Sequence, residues 1–99
     1  MTMTLVEKIQ SDQEWVEFFA DFSDKNKSYI KLLSHEHPGL TGTQFKICVF
    51  LKAGYSTRNI SEALHVSIRS VENHRYRLRK KMNIKPGENL FTYLMRYAS

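Results

Sequence analysis

Aromatic residues recur at helical spacing in the first quarter of the chain. The four residues are Trp15, Phe18, Phe19 and Phe22, at positions i, i+3, i+4 and i+7. This spacing places them on one stripe of a helix. Ser11 and Glu14, in the order S-x-x-E, have the form of a capping box, so we expect this helix to begin at Ser11.

A polar segment, residues 23–28, follows the stripe and either continues the helix with one face exposed or interrupts it. The apolar spacing resumes with Tyr29, Leu32 and Leu33, and Pro38-Gly39 ends it. We favour packing of the aromatic stripe against the rest of the domain. An oligomer interface is the alternative, because aromatic patches also mark such interfaces.

Three helices with recognisable N-caps are predicted in the middle of the chain. Their N-cap residues are Thr41, supported by Gln44 at the third position, Ser56 and Ser67. Gly54 and Asn83 stand where the first and third of these helices should end, since both residue types adopt the left-handed conformation readily. The residues expected inside are Phe45, Ile47, Cys48, Val49, Phe50, Leu51, Ile60, Ala63 and Leu64.

A last helix is predicted in NLFTYLMRY, residues 89–97, after the turn KPGEN. Its inward residues are expected to be Leu90, Phe91, Leu94 and Met95. No segment alternates between apolar and polar with period two. The pattern therefore predicts an all-α domain.

Positive charge is concentrated in the second part of the chain. Residues 1–39 contain four Lys against seven Asp or Glu, whereas residues 40–99 contain eleven Lys or Arg against three Glu. The formal net charge of +5 favours an acidic partner, and the asymmetry places its binding surface in the second part. A single cysteine, Cys48, forms no intramolecular disulfide, which fits the cytoplasm. No apolar run has the length of a membrane span.

The helix predicted over residues 67–82 contains six Arg or Lys and one acid. At about 100° per residue, one narrow side carries Val71, Leu78 and Met82 and must pack on the domain. The opposite side carries Arg69, Asn73, Tyr76 and Lys80, with Glu72 and Arg79 on one edge and Arg77 on the other.

Nucleic acid is the partner that fits this face best. A membrane-surface helix would need a broad apolar face, and a merely solvated helix would mix both signs of charge. Arg and Lys bind phosphates, while the amide of Asn73 can pair with adenine and the carboxylate of Glu72 can accept from cytosine. Glu72 has a second interpretation as an ion-pair partner of Arg75 or Arg79. Arg75 itself is expected to cover the core with its stem.

Catalytic and metal-binding patterns are weak. Cys48 stands between apolar neighbours, a setting that raises the pKa of a thiol and hides it. His35 and His37 resemble half of a metal site, but no further Cys or His cluster completes it. We expect neither an enzyme nor a bound metal or cofactor.

Residues 40–97 resemble the LuxR/GerE-type helix-turn-helix domain of bacterial transcription regulators. The family pattern starts with LT-x-x-E/Q, continues through a-x-G and S-x-x-x-I-A, and ends with L-x-x-S-x-x-T/S-V-x-x-H and a basic K-L/M. It is matched by Leu40-Thr41 with Gln44, Ala53-Gly54, Ser56 with Ile60, Leu64 with Ser67, Ser70-Val71, His74 and Lys81-Met82. So many matches at fixed offsets are more specific than one short motif.

The resemblance implies a four-helix domain that binds double-stranded DNA as a dimer, with its third helix in the major groove and its last helix often at the dimer contact. Carried over by position, the base-reading residues are Glu72, Asn73 and Tyr76. The phosphate contacts carried over are Thr57, Ser67, Arg69 and Lys80, while His74 either contacts a phosphate or braces the helix. Ser70 and Arg77 are further expected phosphate contacts.

This chain departs from the family pattern at three positions. Glu72 replaces a common Lys, so the family's usual base preference does not transfer. Ser61 replaces Ala and Asn83 replaces Gly, both mild changes. Residues 1–39 are expected to form an N-terminal helical linker and residues 40–99 the DNA-binding domain. Because no receiver or ligand-binding module fits in 39 residues, we expect a stand-alone effector or a fragment.

A protein-interaction module is the competing function. Region four of bacterial sigma factors has a similar helix-turn-helix and contacts both DNA and polymerase. RNA polymerase or a missing sensory or receiver domain is then a further candidate partner, while no membrane partner is expected. A protein that had lost DNA binding should lose its outward cations, and this chain keeps Arg69, Arg77, Arg79, Lys80 and Lys81.

Overall fold

The computed structural model describes the backbone of residues 5–96 and the side chains of residues 13–96. Within that part of the chain there are six α-helices and no strand, which confirms the all-α prediction. The helices are α1 (Leu5–Lys25), α2 (Lys27–Glu36), α3 (Gly42–Lys52), α4 (Thr57–Leu64), α5 (Ile68–Lys81) and α6 (Leu90–Met95). None of these helices is long and apolar enough to cross a lipid bilayer.

The predicted start of the first helix at Ser11 is wrong. Helix α1 already runs from Leu5, so Ser11 and Glu14 lie inside it. Residues 5–10, LVEKIQ, contain no Gly or Pro. A capping box is a local signal, and it does not stop a helix whose preceding residues are themselves compatible with helix.

The polar segment 23–28 interrupts the helix, which decides between the two alternatives. Asn26 separates α1 from α2 with backbone angles φ −133° and ψ 44°. Its side-chain amide donates to the Phe22 carbonyl over 2.9 Å, so the interruption is held by a hydrogen bond to the preceding turn.

The aromatic stripe of α1 packs on α3, as the favoured interpretation predicts. The ring centroid of Phe50 lies 5.6 Å from that of Trp15 and 5.2 Å from that of Phe18. Phe19 meets Phe45 edge to face at 5.7 Å. These separations are in the range at which aromatic pairs stabilise each other beyond simple burial. The stripe therefore attaches α1 to the rest of the domain.

All three predicted N-caps are confirmed. The side-chain oxygens of Thr41, Ser56 and Ser67 accept from the backbone N–H groups of Gln44, Asn59 and Ser70 over 3.1, 3.1 and 3.0 Å. Gly54 and Asn83 follow α3 and α5 with φ of 92° and 59°, which confirms their place at helix ends. These local signals position the starts of α4 and α5, and hence the helix-turn-helix.

One apolar core joins residues of both parts of the chain. Its fully buried members include Tyr29, Leu33, Ile47, Cys48, Ile60, Val71, Leu78 and Leu94. The hydroxyl of Tyr29 donates to the Cys48 carbonyl over 2.8 Å, so α2 is fastened to α3. Val71, Leu78 and Met82 are all buried, which confirms the predicted inner side of the basic helix.

Three residues that the pattern places inside are instead exposed: Leu32, Ala63 and Phe91. Each belongs to a short helix of which fewer residues reach the core than the apolar spacing predicts. In α6, Leu90 and Leu94 stand one turn apart and fill the contact, whereas Phe91 points about 100° away and remains 40% exposed.

Candidate nucleic-acid interface

Helices α4 and α5 form a helix-turn-helix with a tight connection. His65 ends α4 in the left-handed conformation, with φ 58° and ψ 43°, and only Val66 and Ser67 separate it from α5. Buried Ile60 of α4 and Val71 of α5 belong to the same core cluster. This packing keeps the inner side of α5 against the domain and turns its other side to solvent.

Three cations of α5 are engaged inside the protein. A guanidinium nitrogen of Arg75 donates to Thr57 Oγ1 over 2.8 Å. Arg79 donates to the carbonyl of Glu88, and Lys81 Nζ donates to the Gly39 carbonyl. These bonds attach α5 to α4, to the loop before α6 and to the start of α3.

These bonds modify the outward face drawn from the sequence: Arg79 is half-buried, and Lys81, although exposed, has its ammonium group bonded within the domain. The helical projection places side chains by angle alone, and both side chains are long enough to turn back toward backbone carbonyls. Arg75 behaves as expected and lies half-buried. Burial is the main cause that lowers the pKa of its guanidinium, nearby Arg79 lowers it further, and Glu72 acts in the opposite direction.

The remaining polar face of α5 is exposed and carries Arg69, Asn73, Tyr76, Arg77 and Lys80. Within the described residues, the side chains of Arg69, Asn73 and Arg77 make no hydrogen bond or ion pair. Lys80 Nζ lies 4.7 Å from the centre of the Tyr76 ring, a cation–π contact that holds a positive charge above a 58% exposed aromatic ring. The face therefore offers three cations, one amide and one phenol to a partner.

Glu72 is exposed beside this face. Among the described residues it forms no ion pair, so the pairing with Arg75 or Arg79 is not formed. Its carboxylate is thus available as an acceptor, which is the role required for contact with the amino group of cytosine.

Hydroxyl groups stand at the N-termini of both helices of the motif. Ser67 is the N-cap of α5, and Thr57 is the first residue of α4. Thr57 Oγ1 accepts from Arg75, which leaves its own proton to donate. Helix N-termini present unpaired N–H groups and positive dipole ends, so both positions suit a phosphate. Ser70 and His74 lie half-buried at the margin of the face.

Arg58 and Ile68 are exposed in the motif and were not among the predicted site residues. Arg58 is an exposed cation in the first turn of α4, and Ile68 is an exposed apolar residue at the first position of α5. The sequence signal for Ile68 is a β-branched apolar residue opening an otherwise basic helix.

The fold and this surface define a helix-turn-helix protein of the DNA-binding class. The family model GerE, described as bacterial regulatory proteins of the luxR family, matches residues 38–94. The chain belongs to this family and is a LuxR-type DNA-binding regulator. No curated protein and no solved structure gives a significant match.

Proposed function

We propose that this chain is a sequence-specific transcription regulator that binds double-stranded DNA as a homodimer, with α5 in the major groove. The observation that carries the proposal is the division of the α5 cations. Arg75, Arg79 and Lys81 are used to position the helix, while Arg69, Arg77 and Lys80 stay outward beside the amide of Asn73.

The outward face combines groups that read bases with groups that bind the backbone. In the proposal Glu72, Asn73 and Tyr76 contact base edges, because Glu accepts from cytosine and Asn pairs with adenine. The phosphate contacts are Thr57, Ser67, Arg69, Ser70, His74, Arg77 and Lys80, which supply cations, hydroxyls and a histidine ring along the margins of the face.

Dimerisation through α6 completes the proposal. Phe91 is 40% exposed in this helix, next to fully buried Leu90 and Leu94. An exposed ring on a rigid helix is the kind of group that is enriched in interfaces. A symmetric pair would present two α5 helices to successive major grooves about 34 Å apart.

The proposed division of the chain follows the same roles. Residues 40–99 form the DNA-binding unit, and residues 1–39 are an extension attached by the aromatic stripe of α1. Because bacterial DNA lies in the cytoplasm, that is the compartment in which we expect the protein to act.

Selection of bound duplexes from a randomised DNA library tests the proposal. The wild-type chain should enrich a two-fold symmetric site. Asn73→Ala should cost roughly 1–3 kcal/mol at one base pair of each half-site and relax the preference there. Arg77→Ala is the matched control, because loss of a phosphate contact should weaken binding to all sequences alike. An unchanged base preference in Asn73→Ala would contradict the proposed reading face.

A protein-interaction module is the second candidate, and one observation favours it. Half of the six cations of α5 are engaged internally, so the charge available to DNA is smaller than the sequence suggests. Absence of any enriched site, together with weak and strongly salt-dependent binding, would favour this candidate. RNA polymerase or a sensory or receiver domain would then be the partner to test.

A further inference from the structure

Ile68 is an apolar side chain on a surface where polar groups prevail. It opens α5 and is 41% exposed, whereas Ile60, Val71 and Leu78 of the same motif are fully buried. Its neighbour Val66 in the turn is 40% exposed as well. Ser67 already caps the helix, so Ile68 has no capping role. Neither the core nor the cap accounts for an isoleucine here.

The position of Ile68 relates it to the proposed reading face. Residues four apart on a helix are surface neighbours, so Ile68 lies one turn before Glu72 on the same edge of α5. A shallow open depression on this edge is lined by Thr57, Ile68, Glu72, Arg75, Tyr76 and Arg79. Ile68 therefore lines the same depression as a hydroxyl proposed to contact phosphate and a carboxylate proposed to contact a base.

Only one group in the major groove matches an apolar side chain. Base edges there present hydrogen-bond donors and acceptors, and the C5-methyl group of thymine is the apolar exception. That methyl lies toward the side of the groove where the backbone of its own strand runs. An apolar residue at the edge of a reading helix, beside a phosphate contact, is suitably placed to meet it.

We infer that Ile68 reads a thymine methyl group in each half-site, within about two base pairs of the pair contacted by Glu72, since one helical turn spans about 5.4 Å. This inference rests on the proposed function, because it requires α5 to lie in the major groove. It adds an apolar contact to a recognition surface otherwise made of polar side chains. The half-site should then contain a thymine whose methyl group contributes to affinity.

Deoxyuridine substitution tests this contact on the DNA, because it removes the C5-methyl group of thymine and preserves base pairing. Each thymine of the selected site is replaced in turn, symmetrically in both half-sites, and dissociation constants are measured by fluorescence anisotropy. One replacement should weaken binding of the wild-type chain about three- to fivefold per half-site, as expected for loss of one buried methyl. The same replacement should leave the affinity of Ile68→Ala unchanged.

Two further variants separate this contact from a general effect on folding. Ile68→Val keeps a branched apolar side chain and should retain most of the deoxyuridine effect. Val16→Ala removes an exposed apolar side chain from α1, far along the chain from α5, and should behave as the wild type. Thermal unfolding monitored by circular dichroism checks that all variants are folded.

The outcomes distinguish this inference from the proposed function. The contact assigned to Ile68 is wrong if a specific site is enriched but no deoxyuridine replacement weakens binding of the wild-type chain. It is also wrong if the deoxyuridine replacement reduces the affinity of Ile68→Ala as much as it reduces that of the wild type. If no site is enriched at all, the proposed function fails first and the inference fails with it.

Discussion

Lys81 Nζ donates to Gln44 Oε1 over 3.0 Å, which joins the end of α5 to the first turn of α3. The same oxygen accepts from the Thr41 backbone N–H over 3.0 Å as part of the capping box. One side-chain amide therefore completes a helix cap and positions the helix proposed to read DNA. Lys80, the residue before Lys81, points outward, so the two adjacent lysines have different roles.

Lys81→Met and Lys80→Met should separate these roles. Lys81→Met should lower the free energy of unfolding by about 1 kcal/mol, since it removes bonds to Gln44 and to the Gly39 carbonyl. Lys80→Met should lower the free energy of unfolding by at most about 0.5 kcal/mol, since it removes only the exposed cation–π contact with Tyr76. It should reduce the slope of log affinity against log salt by about 0.9, as for one lost phosphate contact. Urea denaturation and salt titrations of DNA binding measure the two effects. Equal effects of both variants on stability would contradict this division.

Arg75 and Arg77 form a second matched pair. Arg75→Met should destabilise the protein by about 1–2 kcal/mol, because Thr57 loses its donor and α4 loses a link to α5. Arg77→Met should have little effect on unfolding, because the side chain is exposed and makes no bond within the described residues. Chemical denaturation of both variants provides the measurement. A larger loss in Arg77→Met would show that it, too, positions the helix.

His65→Gly should stabilise the protein. His65 adopts φ 58° at the end of α4, a conformation that costs most side chains free energy and glycine almost none. We expect the free energy of unfolding to rise by about 0.5–1 kcal/mol after the greater flexibility of glycine in the unfolded chain is deducted. Ala63→Gly, two residues earlier within α4, is the control and should destabilise by about 1 kcal/mol. Destabilisation by both changes would mean that the His65 side chain contributes contacts of its own.

His37 should make stability depend on pH. Its Nε2 lies 3.1 Å from the Tyr93 hydroxyl, and burial lowers the pKa of the imidazole, an effect that nearby Glu36 partly offsets. The unfolded chain then binds the proton more readily than the folded one, so the free energy of unfolding should fall as pH drops from about 6.5 through the folded-state pKa. His37→Gln should remove this part of the decline in the free energy of unfolding, measured by urea denaturation at pH 7.5 and 5.5. His35→Gln, at an exposed position, is the control and should retain the decline.

Cys48 should be unreactive in the folded protein. Its side chain is fully buried, and burial raises the pKa of the thiol to about 12. Because the chain has one cysteine, reaction with a chromogenic disulfide reports on this site alone. We expect negligible labelling of the native protein at neutral pH and one equivalent upon denaturation. Rapid labelling under native conditions would indicate that the core around Cys48 opens readily.

The sequence by itself determined the features that depend on residues close together along the chain. The caps at Thr41, Ser56 and Ser67 each join residues three positions apart, so the local sequence pattern is enough to predict the hydrogen bond. The buried side of α5 follows from helical periodicity in the same way. The family membership of the chain follows from residues at the same fixed spacings, and the family model matches residues 38–94.

The tertiary structure decided what depends on distant partners. Arg75 finds its acceptor 18 residues away, Arg79 nine residues away and Lys81 at positions 37 and 42 residues away. Helical periodicity separates Arg75 from the outward cations, but no local pattern distinguishes Arg79 and Lys81 from Arg69, Arg77 and Lys80. The exposure of Phe91 is likewise set by how much of α6 reaches the core. Periodicity predicts which side of a helix is apolar, and only packing decides how much of that side is covered and which long side chains turn inward.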